Sequence, residues 1–242
     1  MNIFLYMIMF LLGIAIGDFW RNAIYRIPRN ISLLKRNVTN IESNNKSEKR
    51  QKIFFLLLGG IIFVICGKIL QIDINSLQLR TGMLYIFTIL YMSVLVVIAG
   101  IDQKYLKIDT KVITSGIILS VLYIIYLYII DKTSIKINAI YLGVFIVLLA
   151  IDTFIIKRYA KNNYTIGILT LFTIILIFSK IEIFMYTLIL TTLEILVSII
   201  ISKINQKRNG YKKITLSNIP VGYFLAVSNM FCLILIPVIT KI

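Results

Sequence analysis

The sequence predicts an all-α protein: a polytopic membrane helix bundle of about eight transmembrane helices, one membrane domain over residues 1–242 with a polar loop at 30–52. Three observations carry that prediction. Of the 242 residues, 59% are hydrophobic and only 15% charged, too few to give a water-soluble globule a polar surface. The apolar residues gather into eight runs, each able to cross roughly 30 Å of hydrocarbon as a helix. The runs lack the two-residue alternation of a membrane barrel, so helices are expected.

The first run, residues 1–17, has no basic residue ahead of it and is followed by Arg21, Arg26 and Arg29. A secretory signal carries its positive charge before the apolar core, so this run reads as an uncleaved helix with its N-terminus outside. Residues 31–52 are rich in Asn, Ser and Lys without periodic apolar positions, which predicts a cytoplasmic loop. The remaining runs cover 53–70, 82–101, 112–130, 139–156, 166–179, 183–202 and 219–240, of which 166–179 is short.

The net charge of +16 belongs to the connections between runs. Twenty of the 26 Lys and Arg residues fall on alternate connections, beginning with the first. That asymmetry predicts both termini outside, those connections in the cytoplasm, and a multi-pass protein of the cell membrane. Anionic lipid of the bilayer is the partner such clusters imply, and nucleic acid is not. With no His, and with Cys66 and Cys232 each inside an apolar run, no zinc ligand set and no paired-cysteine spacing exist. Both thiols read as small packing residues. Gly59, Gly60 and Gly67 predict close helix packing, because no strand or Lys-Ser/Thr accompanies them as a phosphate loop requires. Tyr123, Tyr126 and Tyr128 sit near the outer end of the fourth run, as an aromatic belt would.

The stretch Ile101-Asp102-Gln103-Lys104-Tyr105-Leu106-Lys107-Ile108-Asp109 ends the third run and leads into the fourth. A carboxylate at the edge of hydrocarbon is costly to hold. Asp102 is therefore either part of a water-activating site at the cytoplasmic face or an incidental acid of a solvated turn.

Three separated stretches resemble the bacterial type IV prepilin peptidase family. Gly17-Asp18-Phe19 through Tyr25-Arg26-Ile27-Pro28 is similar to the segment ending that family's first helix. Asp102 followed by Ile108 and Val112 resembles its first catalytic motif, and Ile219-Pro220-Val221-Gly222-Tyr223-Phe224-Leu225-Ala226 resembles its closing motif. The resemblance implies an intramembrane-type aspartic endopeptidase that removes the leader of type IV prepilin or pilin-like precursors at the cytoplasmic membrane face. Two carboxylates would share the work there, one as base toward water and one as acid.

The chain departs from that pattern at the second acid. The place of the family's Gly-x-Gly-Asp-x-Lys reads Lys161-Asn162-Asn163-Tyr164-Thr165-Ile166-Gly167, with Thr165 where the Asp belongs and no acid between Asp152 and Glu182. The polar loop has none of the four cysteines many members use to bind zinc. No cofactor is expected, since S-adenosylmethionine would serve only a methyl transfer that those missing cysteines argue against. Asp18, Asp109, Asp152 and Glu194 remain as partners for Asp102. Were the turn helical, Asp109 would stand about 10 Å further along the axis, too far to share a proton. Asp152 lies near the depth of Asp102, and is either the second acid or a neutral or snorkelling acid near Lys157 and Arg158. Glu194 lies on a polar stripe with Thr187, Thr191, Ser198 and Ser202, which is either a packing seam or a cavity reaching the site. Two functions follow: a leader peptidase, or an inactive relative that binds pilin-like segments or assists pilus or secretion assembly. A small ion or solute transporter using Asp152 and Glu194 is a remote third.

Overall fold

In the computed structural model the described residues are 3–33, 46–72, 79–130, 143, 147, 150, 163–209 and 219–239. They form seven α-helices: α1 Ile3–Arg26, α2 Lys46–Ile69, α3 Leu79–Tyr105, α4 Thr110–Ile130, α5 Asn163–Phe178, α6 Ile181–Asn209 and α7 Val221–Ile239. No strand occurs among the described residues. Five of the helices, α1 to α4 and α6, are long and apolar enough to cross a membrane, while α5 and α7 are shorter apolar helices. Of the fifth apolar run, 139–156, only Gly143, Val147 and Ala150 are described, each as helix, and Asp152 lies outside the described residues. Large apolar side chains point outward along α1, α2 and α6, among them Phe4, Leu11, Phe54, Leu57, Ile189 and Leu196. Water would not tolerate that much exposed apolar surface, and hydrocarbon favours it. The chain is a membrane-embedded helical protein.

Several helices outrun the apolar stretch that predicts them. α2 starts at Lys46, inside the expected polar loop, and α6 continues to Asn209 beyond residue 202. Ser-Glu-Lys-Arg-Gln-Lys and Lys-Ile-Asn-Gln-Lys-Arg are mostly good helix formers, so the backbone ladder continues after the hydrocarbon requirement ends. Apolar length measures the crossing, not the helix.

The chain divides into two compact units, Met1–Ser93 with Pro237–Ile242, and Val94–Ile236. In the first, α1 and α2 pack backbone to backbone. A side chain on Gly13 or Gly59 would collide with the other's carbonyl group, and one on Gly17 with that of Phe55. These glycines permit the close approach that stands in for hydrophobic driving force between membrane helices. Gly60 faces the ring of Phe10, where a Cβ would stand 2.5 Å away. α1 then ends at Arg26, two residues before Pro28, whose ring nitrogen cannot donate to the ladder. A 3-10 turn over Ile27–Arg29 follows, closed by Asn30 in the left-handed region with φ 55°. The Tyr25 hydroxyl donates to the Gln51 side chain at 2.5 Å, linking the C-terminal end of α1 to the N-terminal part of α2.

In the second unit, buried residues of α3 (Leu95, Ile98, Ile101), α5 (Leu171, Ile174, Ile175) and α7 (Leu225, Ala226) form the core. α4 and α5 approach closely at Gly116, where a Cβ would stand 2.7 Å from Ile174 Cδ1. Tyr123 stacks on Phe178 with ring centroids 4.6 Å apart, so this tyrosine of the expected belt serves helix packing, whereas Tyr128 is exposed.

Candidate functional site

The site grows from the end of α3. Leu106 adopts a left-handed backbone with φ 51°, and its N–H returns to the Asp102 carbonyl at 2.9 Å, which stops the helix. Four residues later α4 begins, and Asp109 is its N-cap: its Oδ1 accepts the Lys111 N–H at 2.9 Å. Such a cap contributes about 1 kcal/mol. Lys107 Nζ lies 3.9 Å from the other Asp109 oxygen. Asp109 is thus employed in turning the chain and is not a partner of Asp102.

Asp102 itself is completely buried, 0% exposed. Its Oδ2 accepts two hydrogen bonds, one from the Tyr223 N–H at 2.9 Å and one from the Tyr164 hydroxyl at 3.0 Å. The Tyr164 oxygen accepts in turn from the Val221 N–H at 3.0 Å. The first N–H groups of any helix lack intrahelical acceptors. In α7 that need is met by a carboxyl group and a phenol, and the carboxyl also sits at the positive end of the helix dipole.

Two glycines make the convergence sterically possible. A Cβ on Gly222 would stand 3.0 Å from Asp102 Oδ2 and 3.1 Å from Ile108 Cδ1. A Cβ on Gly167, one turn along α5 from Tyr164, would stand 2.9 Å from Ile108 Cβ. Gly167 therefore lets α5 approach the turn after α3 closely enough for Tyr164 to reach the carboxylate. Asp102 Oδ1 is also buried, and has no hydrogen-bond partner among the described residues.

Of the residues singled out in the sequence, the structure unites Asp102 with the closing motif at Val221, Gly222 and Tyr223. It also brings in Tyr164, neighbour of the Thr165 aligned with the missing acid. Nothing in the sequence marks Tyr164 beyond its place in that stretch. Glu194 lies elsewhere in the second unit, where its Oε2 accepts from the Ser228 hydroxyl at 3.0 Å. Next to it along the helices, the buried Asn229 amide donates to Ser179 Oγ at 3.0 Å and to Thr187 Oγ1 at 3.1 Å. At Thr187 and Glu194 the stripe of α6 is hydrogen-bonded to α7. No described acid hydrogen-bonds Asp102, and no group of three or more His, Cys, Asp or Glu that could hold a metal occurs among the described residues. Gly17 and Pro28 of the first resembling stretch are accounted for in the first unit by helix packing and helix termination.

Chemically, the arrangement offers one desolvated carboxylate and one phenol. Burial, and then the neighbouring Asp102 carboxyl, push the Tyr164 phenol above its ordinary range, so it is a donor at neutral pH and a poor base. Against protein-family models, curated proteins and solved structures, the chain matches none.

Proposed function

We propose that the chain is a prepilin-peptidase-like protein of the cell membrane that binds pilin-like segments without cutting them. The observation behind this reading is the companion of Asp102: a phenol, Tyr164, hydrogen-bonds it from the stretch where the resemblance calls for a second carboxylate. Hydrolysis by paired acids needs one group to take the proton of water while another supplies one. Tyr164 can supply, and Asp102 Oδ2 is already held by α7, so the pair lacks the shared-proton symmetry of a carboxylate dyad. In this reading the eight apolar runs are eight spans, both termini lie outside, and the turn after Asp102 faces the cytoplasm.

One observation favours a second reading, an active leader peptidase. The buried Asp102 Oδ1 has no partner among the described residues, which is the position a proton-sharing acid would take, Asp152 by the sequence. Co-expression with a tagged pilin-like precursor separates the two. An intact leader on a precursor that co-purifies with the protein is the expected result. Leader removal by the wild type that disappears in both Asp102→Ala and Asp152→Asn transfers the conclusion to the peptidase. Neither cleavage nor co-purification sinks both readings.

A further inference from the structure

Among the described residues, Glu194 is a carboxyl outside the site above that stands well inside an apolar span. It lies in the 21-residue segment Ile181–Ile201, seven residues before its end, so about 10 Å from that end at 1.5 Å per residue. Only 17% of this segment's apolar window is buried, and Met185, Ile189, Leu193, Leu196, Val197 and Ile200 point outward. The carboxyl is half-buried between that surface and α7. An acid so placed costs free energy that packing alone does not require, since Leu or Met would fill the volume.

Its surroundings are built for two protonation states. Ser228, 0% exposed, holds Glu194 Oε2 at 3.0 Å. A hydroxyl donates to a carboxylate and equally accepts from a carboxylic acid, so one contact serves both forms. No cation holds the group charged: neither ion pair among the described residues includes it. The titratable group facing it from α7 is Cys232. On α6 the nearest charged residues are Glu182 and Lys203, twelve residues before and nine after, and α5 carries only Tyr164, at its first turn beside Asp102. Asn229 donates to both Ser179 and Thr187 and keeps the seam polar without adding charge.

We propose that Glu194, hydrogen-bonded to Ser228, is a proton-binding site inside the hydrocarbon layer, taking up and releasing a proton independently of Asp102. A lipid-soluble carbodiimide tests this. The protonated carboxyl adds across a C=N bond of the reagent, its proton passing to nitrogen and its oxygen to carbon, and the acyl group then migrates to nitrogen to leave a stable N-acylurea with no leaving group. Membranes containing the full chain are treated with dicyclohexylcarbodiimide across a pH series and the adduct is mapped by mass spectrometry. The expected result is one adduct per chain at Glu194, absent in Glu194→Gln and falling about tenfold for each pH unit above a midpoint. Ser228→Ala moves that midpoint and Ser228→Thr, which keeps the hydroxyl, restores it. Three outcomes overturn the proposal: no adduct at Glu194 in the wild type, a yield that does not change with pH, or equal labelling by a water-soluble carbodiimide. The wild-type titration stands whether or not the variants fold.

Discussion

Asp102 and Tyr164 form one short chain of hydrogen bonds with the first turn of α7, so each residue's worth depends on the others. Removing the Tyr164 hydroxyl as Tyr164→Phe leaves a lone pair of Asp102 Oδ2 buried without that donor, and the Val221 N–H with only the Ile219 carbonyl. The expected loss is about 1–3 kcal/mol, read as a lower unfolding midpoint in detergent, whereas Tyr186→Phe at an exposed position changes little. Gly222→Ala pushes a methyl against Asp102 Oδ2 and costs a similar amount, about 1–3 kcal/mol. The two contacts share an atom, so they do not add. In an Asp102→Ala background the Gly222→Ala penalty shrinks, and equal penalties in both backgrounds would remove the contact from consideration. Asp102 could be picked from sequence because an acid at a hydrocarbon edge stands out. Tyr164 could not, because a tyrosine near a membrane surface is ordinary until its partner is known.

At the level of elements, the α1–α2 pair shows how small residues set a distance. Gly59 meets the backbone of Gly13 and Gly17 with no room for a Cβ. Gly59→Leu therefore separates the helices along the seam, and an unfolding free energy lower by about 2 kcal/mol or more is expected. Gly82→Ala is the control, since nothing lies within 4 Å of its added methyl. A loss no larger for Gly59→Leu than for Gly82→Ala would mean that the seam carries no weight. The glycines of α2 announced close packing in the sequence, but their partners did not. Gly13 and Gly17 become meaningful only beside Gly59, because a glycine's value is the approach it permits to something else. The helix ends divide the same way. Pro28 and Asn30 mark a stop by local chemistry alone. Leu106, an apolar residue in a left-handed backbone, is set by the turn around it.

For the whole molecule, the distribution of charge is the quantity that orients it. The proposed orientation predicts that a single cysteine replacing Lys107 is labelled from the cytoplasmic side of intact cells, and one replacing Lys180 from the outside, in a chain lacking Cys66 and Cys232. Reversed labelling would place the Asp102 turn outside the cell and end the comparison with leader peptidases. Membrane embedding, helical class and the approximate course of most helices followed from the sequence, because hydropathy and helix propensity act over neighbouring residues. Tertiary structure decided what surrounds Asp102. Its partners lie 62 and 121 residues away along the chain, and only folding compares such distant groups. Among the described residues it set a phenol beside Asp102, gave Asp109 to the start of α4, and assigned Glu194 to Ser228, since a side chain's role is fixed by the donor or acceptor that packing brings to it.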